Sequence, residues 1–109
     1  MKAIVWIGSS KKDLQHVFSE SALKEAGYQI DRIQMGVDPK NWKPMLSVVP
    51  EVRERWIHAE SDYRVRYIAG FGEALFILHS LAKKTQKTPE RDLDLVRERF
   101  ELVVKGRVS

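Results

Sequence analysis

Three lysines stand within the five residues 83–87, directly after the largely apolar run Leu75–Ala82, and no acid lies among them. Upstream, arginines alternate with other residues in two short stretches, Arg53 and Arg55 in "EVRERWIHA" and Arg64 and Arg66 in "DYRVRYIA". Guanidinium and ammonium groups at this density suit a phosphate, which arginine grips with a two-pronged fork and lysine with a mobile point charge. His79 lies inside the apolar run, four residues before Lys83. It reads either as a satisfied structural histidine or as a weak acid beside the lysines. The alternative reading of the lysine cluster is an ordinary exposed basic loop.

Other chemistries lack their residues. With no cysteine there is no thiol nucleophile, disulfide or thiolate zinc site. His16, His58 and His79 have no ligand spacing, and Asp92 and Asp94, two apart on a helix, face different ways, so no metal or cofactor is expected. "GFGE" lacks the third glycine and the strand-to-helix context of a phosphate-cradling loop. No Ser–His–Asp arrangement suggests itself.

The basic residues need elements to aim them. "KAIVWIG" (2–8) reads as a strand, and Ser9 or Ser10 as the cap of a helix carrying Leu14, Val17 and Phe18, with Asp13 as a capping-box partner. Ser19 caps a second helix, whose stripe is Leu23, Ala26, Ile30 and Ile33. "MGVDPKNWKP" (35–44) reads as a loop. Strands follow at "MLSV" (45–48), 51–59, 62–69 and 74–81, the last apolar enough to be central. Thr88 and Pro89 open a final helix with the stripe Leu93, Val96, Phe100 and Val103, ended by Gly106. The order β–α–α–β–β–β–β–α predicts one α+β domain, 1–109: a small twisted, mainly antiparallel sheet with helices packed on one face.

Alternation sorts the arginines. In 51–57, Arg53, Arg55 and Ile57 share a face; in 62–68, Arg64, Arg66 and Ile68 share one. A turn of two or four residues sets Ile57 opposite Arg64 and Arg55 opposite Arg66, crowding four arginines on one face, where an anion or nearby acids must offset the repulsion. An odd turn breaks that alignment. The competing reading is a solvated face whose arginine stems cover apolar surface. Trp6 and Trp56 read as core, and Trp42 as either core or contact residue.

The totals bound the rest. At 109 residues, 43% hydrophobic and 31% charged, the chain suits one globular core. The net charge of +4 is spread evenly, with seven basic against five acidic residues in 1–50 and twelve against ten in 51–109. A mild basic excess fits an anionic partner such as nucleic acid without requiring one. The apolar run 3–7 is too short for a signal-peptide core or a membrane span, so a soluble cytoplasmic protein with no membrane partner is expected.

"GYQIDRIQMGVDPKNWKPM", "VRE", "DYRVRYIA" and "ILHSLAKKTQKTPERDLDLVRERF" resemble the phage-derived HigB-like branch of the RelE/ParE toxin superfamily, across roughly 12–102. "LH-x-x-x-KKTQKTP" after a strand is the most specific part, supported in order by "WKPM" and "YRV-x-Y". Two departures stand out: "SVVP" where a glycine-rich turn often precedes "EIR", and "YRVRY" for "YRVIY". The resemblance implies the RelE-like fold and the toxin half of a type II toxin–antitoxin pair. It implies metal-independent cleavage of mRNA, often on the translating ribosome, with a helix-turn-helix (HigA-like) antitoxin as partner. The family's basic site corresponds to Arg53, Arg64 and the lysines of "AKKTQ".

Metal-free RNA cleavage has the 2′-OH attack the adjacent phosphate, with a base for that proton, an acid for the leaving 5′-oxygen, and cations around the phosphorane. Lysine, with a reference pKa of ~10.4, becomes a usable base only beside other cations. Lys83 or Lys84 is therefore expected as base or acid, Arg64 and Arg53 as phosphorane stabilisers, and His79 as a substitute acid. Lys43, Arg55, Arg66 and Lys87 are expected to contact RNA. The alternatives are a non-catalytic toxin that blocks a protein such as DNA gyrase, and a phage-derived nucleic-acid-binding module.

Overall fold

The computed structural model describes residues 2–37, 42–46, 48–83 and 88–108. The elements are β1 (Ala3–Trp6), α1 (Ser10–Val17), α2 (Glu20–Gln34), β2 (Trp42–Met45), β3 (Val49–His58), β4 (Asp62–Ile68), β5 (Ala74–Ala82) and α3 (Glu90–Val108). They occur in the expected order. The strands form one sheet, β1-β5-β4-β3-β2, antiparallel except for the parallel β1–β5 pair at one edge. The α+β class with a mostly antiparallel sheet stands as read.

Local signals explain most boundaries. Ser19 caps α2 as expected, its hydroxyl accepting from the Ala22 amide at 3.2 Å. The first cap differs. Ser10 opens α1 and sends its hydroxyl to the Ile77 carbonyl at 2.9 Å, while the Ser9 hydroxyl donates to Asp13 at 2.7 Å. "WKPM", expected mostly in a loop, is β2; Pro44 is tolerated because an edge strand can spare a ladder donor. Of the strand expected at 45–48 only Met45 belongs to β2, and Leu46 and Val48 lie in the following turn. Gly106 does not end α3, which runs through it to Val108; a helical glycine costs only ~1 kcal/mol.

The apolar residues divide into two clusters. Leu14 of α1, Phe18 just after its end, and Ala22, Ala26, Ile30 and Ile33 of α2 pack on Ile57, Tyr63, Val65, Tyr67, Leu75 and Ile77. Val96 and Val103 of α3 pack instead with Met45, Val52, Ile68 and Leu78, residues of the opposite sheet face. The expectation of helices on one face holds for α1 and α2, and α3 covers part of the other. Its stripe residue Phe100 is only partly buried, beside Phe71 at a centroid distance of 6.4 Å.

Two irregularities decide which side chains share a face. The β3–β4 turn is three residues, 59–61, so His58 pairs with Asp62, Trp56 with Arg64, Arg55 with Val65, Glu54 with Arg66 and Arg53 with Tyr67. The expected opposition of Arg55 with Arg66 is therefore not formed: an odd turn shifts the register by one and sends the two arginine pairs to opposite faces. Glu60 pins this turn to α2, its carboxyl held down to about 2 by hydrogen bonds from Ser19 and Ser21.

In β5, Arg66 pairs with His79 but Tyr67 pairs with Ile77, leaving Leu78 as the extra residue of a bulge. The bulge lets Ile77 stay in the α1/α2 cluster while Leu78 joins the α3 cluster and His79 meets Arg66. The Leu78 carbonyl accepts from Arg99 Nη1 of α3 at 2.7 Å, and Arg99 Nη2 donates to Ser9 at 3.0 Å. Gly8, at φ +57°, is what lets this guanidinium approach, since a Cβ there would lie 2.8 Å from it.

Candidate functional site

Arg64, Arg66, Glu54, Trp56 and His79 share the sheet face that α3 partly covers. Glu54 is the hinge of this group, a buried carboxylate sequence reasoning passed over. Arg66 Nε donates to its Oε2 at 2.9 Å, and Arg64 Nε lies 3.6 Å from its Oε1. The repulsion expected between neighbouring arginines is thus offset by an acid of the same hairpin, the alternation "RERW" placing it there. Arg66 is fully buried and also donates to His79 Nδ1 at 3.1 Å. A guanidinium has only donors, so Nδ1 accepts and the ring proton sits on Nε2. Burial, reinforced by the Arg66 charge, pushes His79 down to about 4, so the ring is neutral at pH 7.

Arg64 is the member of this network that reaches the surface, its side chain 13% exposed against 0% for Arg66. It lies 5.9 Å from the centre of the Trp56 ring, and Lys43 of β2 lies at the same distance. Trp56 is half-buried and belongs to neither apolar cluster, so it is not the core residue that its sequence context suggested. An aromatic face between two cations is the arrangement on which single-stranded nucleic acid stacks its bases and rests its phosphates.

Beside this group a cavity of about 440 Å³ opens between β2 and the start of α3, lined by Lys43, Met45, Leu46, Glu54, Thr88 and Glu90 among others. Lys83 follows β5 with its amide bonded to the Asp62 carbonyl at 2.9 Å, and its Nζ donates to Thr88 Oγ1 at 3.2 Å. Lys83 and Arg64 therefore stand on the same side of the sheet as the cavity, joined to it through Thr88 and Glu54. Lys84 and Lys87, also expected at the site, lie outside the described residues.

Arg53 and Arg55 lie on the other face. Arg53 stacks over Trp42 at 4.1 Å, beside a smaller cleft of about 120 Å³ that Lys2 also lines. Arg55 is buried under α2, where it donates to Gln29, and burial pulls its guanidinium below the ordinary value. Of the nine residues singled out by sequence, the structure brings Arg64, Arg66, His79, Lys43 and Lys83 to one side of the sheet and separates Arg53 and Arg55 from them. Among the described residues no cluster of three or more His, Asp or Glu could hold a metal ion, and no helix is long and apolar enough to cross a membrane.

Fold and site define a small α+β protein that presents a cationic, aromatic cleft between its sheet and its last helix. Residues 13–101, from α1 to α3, match the model of the family described as phage derived protein Gp49-like (DUF891), and the chain belongs to that family, which is RelE- and toxin-like. No curated protein matches the chain.

Proposed function

We propose that the chain is the toxin of a type II toxin–antitoxin pair of the HigB-like branch, and that it cuts mRNA on the translating ribosome without a metal ion. The observation that carries this reading is that Arg64 and Lys43 lie 5.9 Å from the centre of the Trp56 ring while Lys43 and, through Thr88, Lys83 stand at the cavity, all on the sheet face that α3 leaves partly open. In the proposed reaction the RNA 2′-oxygen attacks phosphorus as its proton leaves. The P–O5′ bond breaks, giving a 2′,3′-cyclic phosphate and a 5′-hydroxyl. Arg64 and Lys83 face the non-bridging oxygens of the phosphorane, where fixed donors act most strongly. Proton transfer falls to Lys83 or Lys84.

His79 serves this reaction indirectly. Its Nδ1 is committed to Arg66 and the ring is neutral, so it orients the Arg66–Glu54–Arg64 chain instead of delivering a proton. The proposed partners are mRNA on the ribosome and a helix-turn-helix, HigA-like antitoxin; the proposed location is the cytoplasm. The test is induced expression followed by mapping of mRNA 5′ ends. New ends that appear with the parent chain and vanish with Arg64→Ala bear the reading out. Growth arrest without new ends transfers the proposal to a protein target such as gyrase, and neither arrest nor ends leaves the phage-derived nucleic-acid-binding module as the reading.

A further inference from the structure

Leu46 is 75% exposed, the most exposed of the large apolar side chains among the described residues, and it stands at the wall of a cavity beside the cationic cleft. Exposed singly, such a residue calls for no explanation. Here it continues a wall built from Met45 and from Leu93 of α3. The volume of about 440 Å³ falls within the ~300–1,000 Å³ of sites that take small organic groups. Besides Lys43 and Glu54, two polar groups line the same space from the start of α3 and from two residues before it. Thr88 Oγ1 accepts from Lys83, so its own hydroxyl hydrogen is left to donate. The Glu90 side chain is 77% exposed, and its only ion pair among the described residues is a 3.6 Å contact with Arg97. Of the two carboxylates that line the cavity, Glu54 is held by Arg66 and Arg64, which leaves Glu90 as the one turned to solvent. Apolar walls with an exposed carboxylate and a hydroxyl, next to Lys43 and other donors suited to phosphate, have the composition of a pocket for a nucleobase.

We infer that this cavity is the specificity pocket for one base of the RNA, and that Glu90 selects a base carrying an amino group and rejects uracil. The inference rests on the reading of the protein as an RNA-cutting toxin and adds the substrate feature it selects. A carboxylate can only accept. Guanine offers it N1–H and N2–H side by side, one for each oxygen; adenine and cytosine offer a single amino group. Uracil sets carbonyl oxygens on both sides of its one N3–H, and these repel the carboxylate. Leu46 and Leu93 hold the base by its faces and carry no preference among bases.

The test uses two readouts. Short trinucleotides UGU and UUU, 2′-O-methylated to block cleavage and fluorescently labelled, are titrated against the parent chain, Glu90→Gln and Leu46→Ser. In parallel, mRNA 5′ ends are mapped after expression of each. The parent is expected to bind the guanine oligomer roughly 10-fold more tightly than the uracil one, at the modest end for a paired base contact. Its cuts are expected to avoid uracil at one fixed position. Glu90→Gln brings the binding ratio close to one and admits uracil at that position, while Leu46→Ser weakens both oligomers and leaves the ratio alone. A Glu90→Gln variant that keeps the parent's ratio and cutting pattern overturns the pocket while the endonuclease reading stands. A parent that cuts mRNA without avoiding uracil anywhere does the same. A parent that neither binds these oligomers nor produces new 5′ ends removes the endonuclease reading and the pocket with it.

Discussion

Arg64 differs from the buried Arg55 and Arg66 in having one side toward the protein and one toward solvent, and from the half-buried Arg53 in lying on the face of the cleft. Its inner contact is Glu54, which keeps Arg66 as a partner when Arg64 is lost. Arg64→Ala is therefore expected to slow cleavage by ~10²–10³-fold, about 2.7–4 kcal/mol, as removal of a single phosphorane donor does. Its cost to folding is ~1 kcal/mol, a fall of roughly 4 °C in Tm. Lys83→Ala should behave likewise, Arg64→Lys should recover little because a point charge lacks the fork, and Lys24→Ala on exposed α2 should be silent. Growth assays paired with 5′-end mapping and thermal melts check the series; full toxicity in both Arg64→Ala and Lys83→Ala would place the chemistry elsewhere. His79 gives a pH signature at the same scale. Its folded value of about 4 lies below the ordinary 6.5, so the unfolded chain binds the proton more readily. Its contribution is complete above pH ~6.5 and is lost as pH falls toward 4, by roughly 3 kcal/mol once both states are protonated. Denaturant titrations from pH 7.5 to 4 should show this slope, and His79→Gln should flatten it.

At the scale of elements, the β5 bulge and α3 are coupled through one side chain. Arg99 satisfies the carbonyl of the extra residue Leu78 and ties the same point to Ser9 at the start of α1. Arg99→Ala leaves that buried carbonyl unpaired and should cost ~1–3 kcal/mol, measured by urea unfolding. Gly8→Ala should cost a similar amount, since it combines a positive φ with a clash against the same guanidinium. The bulge also shows where the amino-acid string stops informing. The apolar periodicity of α1, α2 and α3 and the order of strands can be read from residues alone, because each follows from a local period. The pairing of His79 with Arg66 cannot, since strict alternation would put His79 on the face of Ile77, and only an extra residue held by a distant arginine reverses that. The four-arginine face failed for a similar reason. "AES" between the strands carries no strong turn signal to fix its length at three, and alternation counted through a turn one residue shorter or longer gives the opposite sorting. Glu54, plain in "RERW", acquires meaning only when that register sets it against Arg66.

For the molecule as a whole, the two faces of the sheet carry different work. The α1/α2 face holds the larger apolar cluster; the α3 face holds the smaller one and the cationic cleft. An antitoxin that neutralises by covering the cleft must offer acidic or amphipathic surface to Lys43, Arg64 and Lys83. Under the proposed function, co-expression with a helix-turn-helix protein encoded beside the chain should give a complex stable on size exclusion. Arg64→Ala, toxic or not, should still enter it, because an interface spreads over many more contacts than one arginine. Failure to form any complex would remove the toxin–antitoxin pairing.

The register of β4 against β3 also constrains how such a chain can change. Side chains on a strand alternate with period two, so a slide of β4 by one residue against β3 would invert the strand. Arg64 and Arg66 would be driven under α1 and α2, and Tyr63, Val65 and Tyr67 would be expelled to the cleft. Burial of those three side chains therefore holds the register, and an extra residue in the turn lengthens only an exposed loop, at a closure cost well below 1 kcal/mol. One or two glycines inserted after Glu60 should thus leave the chain folded with its melting temperature nearly unchanged, as soluble expression and thermal melts would show. The cleft's charge is in this sense written in a pairing as well as in residue types: of all the changes open to this hairpin, a slip of one residue is the one that exchanges core for cleft.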